Sequence, residues 1–246
     1  MIVEVREADA PPEVTAIYNK LREAYGLPLV NLIWRHFAAL DGVLPWAWES
    51  VRPALPLLPA ARERVVAALS VPSLSMGAEA SSLAAAYNRG NLSNLILLTA
   101  LLRGKQGDAP PPPAGPPVAM LPEPPPLPKL NALPAAVARD VRALGALHGH
   151  EGGVIPTLYI HLATWPALLK PLYTSLSPMM ATGRIAALRD AALAAASIEA
   201  ERLRTHLVAS PEPPAEALAT ARDTLRIFTT RVIPEMVPIG LMLETV

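Results

Sequence analysis

At 246 residues, with 52% apolar and 17% charged side chains, the chain is long enough to bury a sizeable core and too apolar to stay disordered. Its 21 basic residues balance 21 acidic ones, so charge gives no reason to expect nucleic acid or an anionic membrane as partner; small molecules or proteins fit better. The absence of cysteine excludes a disulfide, a thiol nucleophile and a zinc thiolate site, and fits a reducing, cytoplasmic compartment.

The opening MIVEVREADAPPEV is acidic and has no basic segment followed by an apolar run, so no signal peptide is expected. Helices are predicted near 11–25, 28–41, 45–54, 59–70 and 77–103, from Ala/Leu-rich stretches with proline at many starts and few β-branched runs. In NLIWRH, Asn31 and Arg35 share one helical face while Trp34 and His36 point elsewhere. A buried guanidinium needs a partner, either a substrate carboxylate or a structural glutamate. Asn88, Asn91 and Asn94 recur every three residues and present a row of amides, for a ligand or for capping and buried structural bonds. The most apolar run, NLILLTALL, is about half of the ~20 residues a membrane span needs.

The segment DAPPPPAGPPVAMLPEPPPLP, 108–128, cannot be helix or central strand, because proline lacks the amide donor and fixes φ. It is read as an extended linker, with docking to a proline-binding partner as the sharper alternative. Beyond it, helices are predicted near 134–148, 156–164, 166–176, 181–208, 213–232 and 235–245. HGHEGG places His148, His150 and Glu151 in a glycine-rich loop that lacks the i, i+4 pairing of a helical zinc site, and no metal is expected there. No phosphate loop, dinucleotide fingerprint or Gly-x-Ser-x-Gly elbow is present, so nucleotide and serine-hydrolase chemistry find no support.

The segments flanking the linker echo each other. NLIWRHFAALDGVLPWAW, 31–48, lies on PTLYIHLATWPALLKPLY, 156–173, without a gap and puts His36 on His161. NRGNLSNLILL, 88–98, lies more weakly on TRVIPEMVPIG, 230–240, putting Arg89 on Arg231 but Asn91 on Ile233. The expectation is an all-α fold of two pseudo-symmetric repeats, 1–107 and 134–246, joined by a Pro-rich linker at 108–133, with a ligand cleft near the pseudo-twofold axis. Both histidines are candidates for a base near neutral pH or for core residues bonded to carbonyls.

Three stretches, YNKLREAYGLPLVNLIWRHFAALDGVLPWAW (18–48), AAYNRGNLSNLILLTAL (85–101) and LHGHEGGVIPTLYIHLATWPALL (147–169), together resemble the group I 2-haloacid (halocarboxylic acid) dehalogenases. The resemblance spans most of the chain and implies an all-α fold of two related repeats. It also implies cofactor-independent hydrolysis of the carbon–halogen bond of a small acid, by direct water attack without an enzyme ester. In that family an aspartate is the base and an asparagine orients the water; the asparagine of its Gly-Asn motif matches Asn91, after Gly90.

The family's aspartate falls on Leu158, between Thr157 and Tyr159, and 153–162 contains no carboxylate. The resemblance therefore leaves His161 or Glu151 to replace the base. It places pocket aromatics at Leu29 and Leu32 and the family tyrosine at Asn94; Trp34, Arg35 and Ile233, the repeat counterpart of Asn91, are further candidate substrate contacts read from the residues themselves. The alternative function is a non-catalytic or re-purposed binder of a small hydrophobic molecule on the same fold, and the ligand expected is a small organic acid or an apolar small molecule. No nucleic acid or membrane partner is expected, and an oligomer is possible. The stretch Tyr18 to Pro28 is also loosely similar to the carboxymuconolactone decarboxylase-like helical fold, whose thiol peroxidase chemistry the lack of cysteine excludes.

Overall fold

The structure, a computed structural model, describes residues 3–149 and 155–244. Among the described residues there is no strand, and every regular element is a helix. The elements are α1 (Pro12–Tyr25), α2 (Leu32–Ala38), α3 (Val43–Val51), α4 (Leu58–Ala67), α5 (Ala78–Arg103), α6 (Ala135–Ala146), α7 (Thr157–Leu162), α8 (Leu169–Ala181), α9 (Arg184–Arg204), α10 (Ala215–Ile227) and α11 (Ile233–Glu244). No helix among the described residues is long and apolar enough to cross a membrane.

Proline and glycine set most boundaries. α1 starts with Pro12 in its first turn, where the missing amide costs nothing. It ends at Gly26 in the left-handed conformation, where the amides of Gly26 and Leu27 turn back onto the carbonyls of Glu23 and Arg22. α7 is only six residues long, because Trp165 precedes Pro166 and is pushed out of helical geometry, with φ −123° and ψ 77°. α10 and α11 are joined by a widened π turn, Phe228–Val232, just ahead of Pro234, whose nitrogen cannot donate to the preceding turn.

The chain forms two compact units, each assembled from segments distant in sequence. The first comprises residues 1–69, 89–122 and 191–234, and the second 70–88, 123–190 and 235–246. In the first unit, Tyr18, Leu21 and Tyr25 form the buried stripe of α1, and Ile33, Trp34 and Phe37 that of α2. The Trp34 and Phe37 rings meet edge to face, 5.8 Å apart. Glu199 of α9 is buried but fully engaged, accepting two hydrogen bonds from Arg64 at 3.0 and 2.7 Å and one from Arg202. The second unit buries Leu83, Leu144, Leu158, Leu162, Leu172 and Ile239 in one continuous cluster.

The Pro-rich segment has no helical geometry from Asp108 to Pro128 and is fastened both by amides of its own and by donors from outside itself. In the first unit, Ala109 N–H donates to the Thr205 carbonyl, Leu121 N–H to that of Gly26, and Arg89 to those of Gly26 and Ala119. A Cβ on Gly26 would lie 2.5 Å from the Ala119 oxygen and 2.7 Å from Arg89 Nη1, in a backbone of φ +63°. Gly104 has a similar φ of +75° with open space around it. Gly26→Ala is therefore expected to lower unfolding stability by about 2 kcal/mol or more, against ~1 kcal/mol for Gly104→Ala, in urea titrations of both variants.

Candidate functional site

α5 carries its polar side chains to different fates. Asn94 is buried, and its Oδ1 accepts two hydrogen bonds, from Tyr25 Oη at 3.0 Å and Trp34 Nε1 at 2.9 Å. One amide thereby satisfies the polar tips of two large core aromatics, a structural demand strong enough to explain an asparagine at this position. Burial pushes the Tyr25 hydroxyl far above its ordinary pKa, so it stays a donor. Asn91, one turn back, is half-buried, and among the described residues its side chain makes no hydrogen bond.

The other first-unit candidates are placed as follows. Arg35 pairs with Glu4 at 3.1 Å, in a geometry that is an ion pair and not an aligned hydrogen bond. Leu29 is exposed, Leu32 half-buried, and Ile233 buried at the start of α11. Nearby, Arg62 donates to Ser93 Oγ at 2.9 Å, and burial followed by the Arg89 charge lowers its pKa. A cleft of about 550 Å³ in this unit is lined by Trp46, Ser50, Lys105 and Arg222 among others and holds none of the expected residues. Its cations have carboxylate partners: Arg103 with Glu201, Lys105 with Asp108, Arg222 with Glu212 and Arg226 with Asp223.

In the second unit α7 presents Thr157 to solvent and buries Leu158 and Tyr159. Leu158 belongs to the apolar cluster, and an aliphatic side chain supplies no proton acceptor. His161 is buried with both ring nitrogens engaged: Nε2 lies 2.5 Å from the Pro125 carbonyl and Nδ1 lies 3.1 Å from Tyr87 Oη. A carbonyl only accepts, so Nε2 carries the proton and Nδ1 of the neutral ring is the acceptor for the tyrosine hydroxyl. Burial lowers the pKa of His161, against a smaller upward pull from the Pro125 hydrogen bond, and so favours that neutral form.

The sequence reading missed two arrangements here. Tyr87 precedes Asn91 by four residues and so lies on the same face of α5; that spacing was the available signal. His148, read as a loop residue, has a buried ring, with Nε2 at 2.9 Å from Tyr159 Oη and Nδ1 at 3.3 Å from Glu235 Oε2. No local spacing foretells that chain, since Glu235 is 87 residues away from His148. Asn88 donates to Glu244 Oε2 at 2.6 Å, while its Oδ1 presses on Gly240, where a Cβ would come within 2.1 Å. Glu151 and His150 lie outside the described residues. Among the described residues no three His, Asp or Glu side chains converge as a metal ion requires.

No protein-family model and no curated protein matches the chain. Solved structures do. A D-2-haloacid dehalogenase mutant in complex with D-2-CPA superposes with a TM-score of 0.67 at 16% identity, covering 99% of this chain and 96% of that one. A further D-2-haloacid dehalogenase mutant structure gives 0.67 at 15% identity, and a D-2-haloacid dehalogenase in complex with L-LA gives 0.64 at 16%, with the same coverage. The chain has the fold of the D-2-haloacid dehalogenases from end to end.

Asn94→Ala leaves the Tyr25 hydroxyl and the Trp34 indole buried without their acceptor and is expected to cost about 2–4 kcal/mol, read by urea denaturation followed through tryptophan fluorescence. Asn91→Ala, by the same measurement, is expected to stay within about 0.5 kcal/mol of the parent. The lowered pKa of His161 also fixes a pH dependence. The unfolded chain binds the proton more readily than the folded one, so the stabilisation is complete above the ordinary value of 6.5 and is lost as pH falls from there through the folded value. Urea midpoints measured between about pH 5 and pH 7.5 should therefore rise more steeply in the parent than in His161→Gln.

Proposed function

We propose that the chain is a divergent relative of the 2-haloacid dehalogenases that takes a small organic acid and hydrolyses its carbon–halogen bond by direct attack of water. The observation that carries this reading is the agreement in fold with D-2-haloacid dehalogenase structures over 99% of this chain and 96% of theirs. Asn91 has the chemistry to orient water, because its amide both donates and accepts, and its side chain is not committed elsewhere among the described residues.

With Leu158 in the place of the family's aspartate, His161 is the candidate base among the described residues, and its Nδ1 accepts a proton only when the Tyr87 hydroxyl bonded to it turns away. In the first unit Leu29 is exposed and Leu32 half-buried, and in the second Thr157 is exposed, so each is open to a ligand. Trp34, Asn94 and Ile233 in the first unit and Leu158 and Tyr159 in the second are buried core residues, and Arg35 reaches an acid only by exchanging its ion pair with Glu4. The reaction requires water and no cofactor.

A second reading, binding of a small acid or apolar molecule without turnover, is favoured by one observation: both nitrogens of His161 already have partners. Halide release from D- and L-2-chloropropionate, measured by ion chromatography, separates the two. The hydrolytic reading expects release by the parent and a fall of about 100-fold in kcat for Asn91→Ala. Release no greater than that of Asn91→Ala, with heat of binding for the same acids in calorimetry, establishes the second reading instead.

A further inference from the structure

Burial along the Pro-rich segment follows a three-residue rhythm where the segment meets the first unit. Ala109, Pro112, Val118 and Leu121 are half-buried, and the residues between these positions are exposed. Gly115, the remaining member of the series, has no side chain to bury, but a Cβ there would lie 3.4 Å from the Pro56 carbonyl oxygen, so it too faces inward. Val118 Cγ1 stands 2.8 Å from where a Gly26 Cβ would be, and Leu121 N–H donates to the Gly26 carbonyl at 2.9 Å. At the other end Ala109 N–H is held by the Thr205 carbonyl at 3.0 Å. A period of three belongs to the polyproline II helix, whereas a strand alternates every two residues.

With one edge of such a helix turned inward, two edges face solvent. Pro110, Pro113 and Pro116 line the first, and Pro111, Ala114 and Pro117 line the second. The carbonyls from Pro110 to Val118 accept no hydrogen bond among the described residues. Between Asp108 and Glu123 no side chain carries a charge.

We propose that this double edge is a docking site for a partner protein whose groove is lined by aromatic side chains, the mode in which polyproline II segments are read. Tryptophan and tyrosine rings form slots that take pyrrolidine rings, and their N–H and O–H groups supply the donors that the free carbonyls lack. The segment is already fastened, at Ala109 on one side and at Ala119 and Leu121 on the other, so little chain entropy is lost on docking. A tether needs length alone; it needs neither a repeating inward edge nor prolines along the outward ones. A charge-free surface offers nothing to the phosphates of a nucleic acid or to an anionic lipid. Docking at this edge is independent of any turnover by the chain.

The test titrates the full-length protein into purified SH3, WW and EVH1 domains by calorimetry. At least one domain is expected to bind, with NMR shifts of the isotope-labelled domain centred on its aromatic groove. Replacing Pro110, Pro113 and Pro116 together by alanine is expected to weaken that binding by about tenfold or more, while Pro122→Ala, outside the double edge, changes it by less than about twofold. Because the contact is uncharged, the affinity should stay within about twofold between low and molar salt. The three prolines are exposed, and thermal melts verify that the triple variant folds; if it does not, Pro113→Ala alone takes its place in the same comparison. A panel in which no domain binds the parent, or binding that the folded variant retains in full, overturns the proposal. Self-association of the parent that the variant abolishes gives the edge to a second copy of the chain and overturns it as well.

Discussion

A helix that carries amides and hydroxyls into an apolar interior must find each of them a partner, and α5 imposes this condition on the elements around it. Asn94 is the clearest case. Its single oxygen takes the indole of Trp34 and the phenol of Tyr25, so α1 and α2 are positioned relative to α5 by polar geometry as well as by close packing. Ser93 closes a bond onto the Arg89 carbonyl and receives one from Arg62, while Asn88 is satisfied on one side by Glu244. Asn91 stands apart within this set, as the α5 asparagine whose amide is left to solvent or ligand.

Much of the helical order could be read directly, because proline and glycine announce themselves. Every interval expected to be helical holds an α-helix, and the Pro-rich stretch between them has no helical geometry. Boundaries moved where local rules interact: α7 stops early because Trp165 must precede Pro166, and the break before α11 is a widened turn and not a loop. The composition of the compact units was not legible. Helices such as α5 and α9 contribute residues to both, and periodicity reports which face of a helix is buried without saying which neighbour buries it.

The candidate site divides the same way. That an asparagine follows Gly90, and that 155–162 lacks a carboxylate, are facts of the sequence. That Trp34 and Asn94 are bonded to each other, that Arg35 is paired with Glu4, and that His161 spends its Nε2–H on Pro125 are facts of distance, set by residues 36 to 60 positions apart in two of the three cases. A side chain's type tells what it is able to exchange with a neighbour; whether it is already doing so is decided by folding. For a weak base such as imidazole, that prior engagement decides the chemistry more than the pKa does.

The Pro-rich segment has one more property. A run of prolines keeps its oxygens and forfeits its amide hydrogens, so its proline residues can be held only by groups that bring hydrogen to them. Here the bringers are an arginine at Ala119 and a histidine at Pro125. The guanidinium never loses its hydrogens in water, and the imidazole nitrogen that faces Pro125 keeps its hydrogen in both charge states. The attachment is thus indifferent to acidity at both points, because the nitrogen that gains or loses a proton is the one facing Tyr87 and not the one that holds the strap.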